Sequence, residues 1–110
     1  MRRKVQCQIV ISTWPNARQA KSFARRIVES HLAACVQVFP IHSVYRWKNT
    51  VETASEYRLE AKTADSRVAA LIAFIRQHHP YELPEIVSYP IPHGTSAYLR
   101  WVSKESLPTP

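Results

Sequence analysis

The apolar positions in the first third of the chain change their period once, and the change separates a strand from a helix. Residues 5–13 alternate and then run apolar, which predicts a strand buried on at least one face. Pro15 ends this strand and suits the first turn of a helix. From Asn16 onward the apolar side chains recur every 3.6 residues, which predicts an amphipathic helix with a basic outer side. They are Ala17, Ala20, Phe23, Ala24, Ile27, Val28 and Leu32.

The middle of the chain predicts a long hairpin made of two unlike strands. Residues 34–47 carry apolar side chains at odd and even positions alike, so we expect this strand to be covered on both faces. Pro40 has no backbone donor, which places it at a bulge or on an edge strand. Lys48 and Asn49 form the turn, because asparagine tolerates a left-handed conformation where glycine is absent. The return strand, Val51 to Lys62, alternates and predicts one buried face.

The last third of the chain predicts two helices separated by a short strand. Thr63 is expected to cap the first of them, which ends before Pro80 because the residue before a proline disfavours helical dihedrals. Residues 86–89 predict the strand, and Tyr98 lies in the last helical segment. The apolar positions of the helix before Pro80 are Val68, Leu71, Ile72 and Ile75.

The predicted order is β-α-β-β-α-β followed by a C-terminal helix. This is the ferredoxin-like, split β-α-β arrangement, an α+β fold with helices on one face of an antiparallel sheet and a long hairpin of the second and third strands. We expect one domain over residues 1–110, with a core from about 5 to 103 and a loose tail over 104–110. The second sheet face is not polar throughout, so a further subunit is expected to cover it.

Length and composition set limits on the function. A chain of 110 residues, of which 45% are hydrophobic and 21% charged, has the composition of a globular domain with its own core. Its apolar runs are too short to cross a bilayer, and Gln6 and Gln8 interrupt the run that a signal peptide would need. With Cys7 and Cys35 as the two cysteines, reduced thiols and a cytoplasmic location are expected.

The formal charge of +7 raises the question of a nucleic-acid partner. RNA-binding sheets of this type carry aromatic residues within a glycine-containing motif on a central strand. The strand from Val51 to Lys62 has no such motif, and the one glycine, Gly94, lies in a predicted loop. Apart from residues 2–4, most basic side chains fall on helix exteriors or are dispersed, so we expect no specific nucleic-acid binding. One glycine also excludes a phosphate-binding loop, and no pattern for a catalytic reaction is present.

Several motifs, in their order, resemble the CutA divalent-cation-tolerance family. The resemblance runs from about Ile9 to Val102 and implies a PII-like homotrimer that is linked to tolerance of copper and other divalent cations, with no reaction assigned. Two departures are the turn Lys48-Asn49, where the family usually has Glu-Gly, and Ser12, where some bacterial members have cysteine. The motifs are Leu32-Ala-Ala-Cys35-Val36, Ser43-Val-Tyr45-Arg-Trp47, Glu56 with Lys62-Thr63, His79-Pro-Tyr81-Glu-Leu-Pro84-Glu85-Ile86 and Tyr98-Leu-Arg-Trp101.

His78 and His79 are the candidate metal ligands, because the resemblance implies copper at this pair together with the position of Ser12. Adjacent histidines on a helix point about 100° apart, so both would reach one ion only at a frayed end, which Pro80 suggests. The alternative is that His79 packs beside its neighbours and fixes the loop. Cys35 is a weaker candidate as a soft ligand, against a role as a small buried apolar residue.

A set of aromatic and charged residues within the motifs is the second candidate site. It suggests a cleft at a subunit boundary that binds a small ligand or ion; the alternative is an interface network whose charges are satisfied across subunits. Two functional hypotheses therefore stand: direct cation binding at the histidines, and a PII-like trimer that binds a small molecule or partner. The residues of the second site are Trp47, Glu56, Lys62, Tyr81, Glu85 and Trp101.

Overall fold

A four-stranded antiparallel sheet in the order β2-β3-β1-β4 organises the computed structural model, which describes residues 6–108. This arrangement confirms the predicted α+β fold and its element order. The strands are β1 (Cys7–Trp14), β2 (Cys35–Trp47), β3 (Thr50–Ala64) and β4 (Ile86–Ile91). The helices are α1 (Ala17–Glu29), α2 (Val68–His78) and α3 (Ser96–Glu105), with a 3-10 turn (Asp65–Arg67) before α2.

The first helix begins where its cap residue allows. Asn16 Oδ1 accepts the backbone N–H of Gln19 at 2.8 Å, so Asn16 is the N-cap. The sequence suggested that Pro15 lies in the first helical turn, but it precedes the cap. The buried face of α1 and that of α2 pack on one side of the sheet against the largest apolar cluster. This cluster includes Val10, Trp14, Phe23, Ile27, Leu59, Leu71 and Ile75.

Thr63 belongs to a strand, and its predicted role as a helix cap is wrong. It pairs with Gln8 across the sheet, and its buried hydroxyl donates to the carbonyl of Leu32 at 2.7 Å. Strand pairing thus outweighs the local capping preference of the threonine. The chain leaves β3 only after Ala64 and enters α2 through the 3-10 turn.

The hairpin is tight and has an unbroken register. Lys48 and Asn49 both have positive φ, 49° and 68°, and they join the paired residues Trp47 and Thr50. Positive φ at both central residues is typical of the type I′ turn, which matches the twist of the flanking strands. Pro40 pairs with its partner without a bulge, and its strand lies at the sheet edge, one of the two predicted alternatives.

The C-terminal helix continues past the point where the sequence suggested a loose tail. α3 extends through Glu105, and Ser106 is fully buried because its hydroxyl accepts the N–H of Ala64 at 2.9 Å and donates to the carbonyl of Val102 at 2.7 Å. The packed chain therefore continues beyond residue 103. The predicted strand start at Val5, the basic residues 2–4 and the end of the tail at 109–110 lie outside the described residues.

The sheet face opposite α1 and α2 carries exposed apolar side chains. Residues that pair across antiparallel strands share a face, so Val87 and Tyr89 lie on the same face as their partners Ile11 and Ile9. Val87 is 41% exposed and Tyr89 54%. α3 covers only one end of this open face, where Leu99 packs beside the buried Cys7. None of the helices within residues 6–108 is long and apolar enough to cross a membrane.

Candidate functional site

A groove of about 930 Å³ lies between the hairpin and the loop that follows α2. Residues 41–47 of β2 form one wall, and β3 contributes Ala54, Glu56 and Arg58. The loop supplies residues 80–83 and Glu85. The groove therefore lies where the long paired hairpin faces the loop that begins at Pro80.

A carboxylate and a phenol meet in this groove. Glu56 is only 9% exposed, and its Oε2 accepts a hydrogen bond of 2.8 Å from the hydroxyl of Tyr81. Burial raises the pKa of the Tyr81 hydroxyl, and the hydrogen bond to the negative Glu56 raises it further, so this phenol remains a donor near neutral pH. Within residues 6–108 no Lys or Arg side chain forms an ion pair with Glu56.

His79 connects this loop to the sheet through both ring nitrogens. Its Nδ1 accepts the N–H of Tyr81 at 3.1 Å, so Nε2 carries the proton and donates to the carbonyl of Thr13 at 2.7 Å. The ring also packs on Trp14, with centroids 4.2 Å apart. Burial lowers the pKa of His79, although the Thr13 carbonyl and the charge of Glu56 act against this. The neutral ring therefore fixes the loop.

His78 points elsewhere. Its Nδ1 donates to the carbonyl of Phe74 at 3.0 Å within the last turn of α2, and its exposed ring lies 4.8 Å from that of Phe74. Of the four ring nitrogens of the two histidines, only Nε2 of His78 makes no hydrogen bond within residues 6–108. The two histidines thus do not present two unoccupied nitrogens to a common point.

The two weaker metal candidates lie on opposite faces of the sheet. Ser12 is fully buried on the helix side, and its Oγ has no hydrogen-bond partner within the described part of the chain. Cys35 is half-buried and pairs with Lys62, which pairs with Ile9, so it lies on the open face. Among residues 6–108 no group of three His, Cys, Asp or Glu side chains is arranged to hold a metal ion. The candidate donors therefore do not fit a closed copper centre, which needs three or four ligands.

The six residues of the predicted cleft separate into two groups. Trp47, Glu56, Tyr81 and Glu85 line the groove. Lys62 lies six residues further along β3, where its Nζ donates to Gln37 Oε1 at 2.6 Å. Trp101 packs on the ring of Tyr98, 5.5 Å away, on α3.

The sequence did not single out several other residues that line the groove. Thr13 belongs to β1, and Arg58 is one of the polar residues of the alternating β3. Tyr45 and Arg46 stand within the motif that contains Trp47, so this motif was the available signal for them. Nothing in the local sequence brings Thr13 or Arg58 to the loop after α2, since strand order alone places them there.

Comparison with known proteins gives consistent matches over most of the chain. Residues 8–105 match the model of a family described as CutA1 divalent ion tolerance protein. The chain is similar to the CutA homolog of Xenopus laevis, with 48% identity over 91 residues that cover 82% of this chain and 60% of that protein. It spans between about half and two thirds of the length of the animal and plant relatives that it matches, such as 51% of the mouse protein CutA and 65% of the zebrafish (Danio rerio) homolog.

Solved structures with the same fold include two named CutA. The periplasmic divalent cation tolerance protein CutA from Archaeoglobus fulgidus superposes with a TM-score of 0.89 and 31% identity, over 92% of this chain and 99% of that one. The PII-like protein CutA from Nostoc sp. PCC 7120, in its apo form, gives a TM-score of 0.86 and 32% identity, over 91% of this chain and 97% of that one.

Proposed function

This chain belongs to the CutA1 divalent ion tolerance protein family, and we propose that it contributes to tolerance of divalent cations, copper among them, by binding a small ligand and without catalysing a reaction. The observation that carries the proposal is the groove with Glu56 at its base. Glu56 is 9% exposed as a residue, and its carboxylate holds one neutral donor, which leaves Oε1 able to accept a charged donor from the groove. A bound ligand or partner is the natural source of that donor.

The groove supports a PII-like binding role better than the histidine pair supports direct metal binding. A metal ion at His79 would have to displace either the Thr13 carbonyl or the N–H of Tyr81. His78 could ligate through Nε2 alone, which makes a weak site. Direct copper binding at His78 and His79 therefore stays a prediction, and in our proposal the link to metals is indirect.

We further propose that the protein is a homotrimer. The exposed apolar residues of the open face support this, since a lone subunit would leave Val87 and Tyr89 of β4 in water, together with Phe39 of β2 at the other edge of the sheet. On α3, Tyr98 and Trp101 pack on each other and are 41% and 43% exposed, which adds further apolar surface. A sedimentation mass of three times 12.7 kDa in dilute buffer is expected, and a mass near 12.7 kDa would contradict the trimer.

The cytoplasmic location is also a proposal. Two free cysteines support it, because the cytosol keeps thiols reduced. The relative from Archaeoglobus fulgidus is named periplasmic, so the location is to be tested for this chain by fractionation of cells.

Growth under copper stress tests the proposed function. The protein is expressed in a bacterial strain that lacks its own family member, and growth is followed over graded copper concentrations. We expect wild type and His78→Ala to restore growth, and Glu56→Gln and Tyr81→Phe to restore it poorly at equal protein levels. Full tolerance with Glu56→Gln would contradict a role of the groove.

A further inference from the structure

We infer that the groove binds an organic cation, a small molecule that presents an ammonium or guanidinium group to Glu56. This inference rests on the proposed ligand-binding function and names the class of its ligand. It follows from the unmatched hydrogen-bonding capacity of Glu56, the charges around it and the aromatic residues that line the groove.

Within residues 6–108 of one subunit, Glu56 has no positive partner. Its Oε2 takes the hydroxyl proton of Tyr81, while its Oε1 accepts no hydrogen bond from any group of residues 6–108. An ionised carboxylate can accept several hydrogen bonds, and charged N–H donors give the strongest of them. Glu56 lines the groove, so a donor held there can reach its carboxylate.

The charged residues that line the groove favour a cation over an anion. Glu82 and Glu85 add two carboxylates to that of Glu56, against the guanidinium groups of Arg46 and Arg58. Arg58 is already engaged, since its Nε donates to Oε2 of Glu60 outside the groove at 3.0 Å. Carboxylates thus outnumber guanidinium groups among the residues that line the groove, although the formal charge of the whole chain is +7.

Aromatic side chains distinguish an organic cation from a metal ion. Tyr45, Trp47 and Tyr81 line the groove, and the faces of such rings attract ammonium and guanidinium groups within about 6 Å. The ring of Trp47 already has the Nζ of Lys48 5.7 Å from its centroid. A divalent ion would instead need a cage of oxygen ligands, and Glu56, Glu82 and Glu85 do not converge into one.

Ethylguanidinium and its neutral isostere ethylurea are the probes that test this inference. Each is titrated into the full chain by calorimetry in phosphate buffer at pH 7, with butyrate as the anionic probe. We expect saturable binding of ethylguanidinium, binding of ethylurea weaker by at least about tenfold, and none of butyrate, because the charged hydrogen bond to the carboxylate is lost in both controls.

Two variants locate the binding. Glu56→Gln keeps an acceptor for Tyr81 but removes the charge, and it should weaken ethylguanidinium binding by about tenfold or more. Glu29→Gln, on the exposed side of α1 outside the groove, should bind as wild type does. The probe comparison on wild type needs no variant, so it decides the inference even if Glu56→Gln folds poorly.

Four results would each overturn the inference. On wild type they are the absence of saturable ethylguanidinium binding, equal binding of ethylurea, and binding of butyrate. The fourth is unchanged ethylguanidinium binding by a folded Glu56→Gln. These results leave the proposed function standing if Glu56→Gln still loses copper tolerance in cells. The proposed function fails separately, if Glu56→Gln retains full tolerance whatever the probes do.

Discussion

The hydroxyl of Tyr81 donates to a carboxylate oxygen of Glu56 at 2.8 Å, although the two residues are 25 positions apart along the chain. The bond joins the loop after α2 to the central part of β3. His79 ties the same loop to β1 through the carbonyl of Thr13. Hydrogen bonds to two adjacent strands, β1 and β3, therefore hold this loop at the groove.

Replacing Tyr81 by phenylalanine should destabilise the protein. The change removes the donor from a buried carboxylate and leaves it without a partner among the described residues, which should lower the free energy of unfolding by about 1–2 kcal/mol. Urea unfolding at pH 7 measures it. Ser22→Ala, which removes an exposed hydroxyl of α1, is the control and should not lower the free energy of unfolding. Equal stability of Tyr81→Phe and wild type would show that the bond contributes nothing.

The protein should become less stable as the pH is lowered, because of His79. Burial lowers its pKa in the folded state below 6.5, so the unfolded chain binds the proton first as the pH falls. The folded state therefore loses stability from about pH 6.5 downward until its own pKa is passed. Urea midpoints between pH 7.5 and 5 measure the slope, which should be smaller in His79→Gln and unchanged in His93→Gln, a replacement in an exposed loop. Equal slopes in all three proteins would be inconsistent with this role.

Two buried hydroxyls should respond to removal in opposite directions. Ser12 Oγ has no partner within the described residues, so Ser12→Ala should raise the free energy of unfolding by about 0.5–1 kcal/mol. Thr63 Oγ1 donates to Leu32, so Thr63→Val should lower it by about 1 kcal/mol and leave the carbonyl unsatisfied. Thermal unfolding of both variants checks the signs. A loss of stability in Ser12→Ala would mean that its hydroxyl is bonded in solution.

Copper binding should not depend on His79. Both of its ring nitrogens hold hydrogen bonds, so calorimetric titration of copper at pH 7 should give the same curve for wild type and His79→Ala. His78→Ala should remove at most a weak event, since one imidazole nitrogen makes a poor site. Loss of a micromolar site in His79→Ala would restore the histidine pair as the metal centre.

Local rules predicted the elements that depend on local interactions. Asn49 takes the left-handed conformation of a glycine at the predicted turn, because that preference acts within a few residues. The cap of α1 is equally local, but Pro15 was expected in the first turn, whereas Asn16 is the cap. Thr63 was predicted wrongly because its partners, Gln8 and Leu32, come from distant parts of the chain. The predicted strand over residues 86–89 stops before Pro90, yet Pro90 lies inside β4, since an edge strand has one side free of the ladder.

The groove was predictable only in part. Family resemblance selected Glu56 and Tyr81, but it also selected Lys62, which the register places beside Cys35 at the other end of the hairpin. Resemblance likewise suggested a pair of metal ligands, whereas the nitrogens of His79 are used in holding the loop. Motif membership does not say where a residue lies along a strand or which of its atoms are already bonded.

NMR mapping of bound ethylguanidinium is the sharpest test of cation binding at Glu56. Amide and indole signals of the ¹⁵N-labelled protein are followed while ethylguanidinium is added. We expect chemical-shift changes concentrated at the groove, at Glu56, Tyr81 and the indole of Trp47. In Glu56→Gln these changes should disappear. Shifts centred instead on His78 and Phe74, or groove shifts that persist in Glu56→Gln, would contradict cation binding at Glu56.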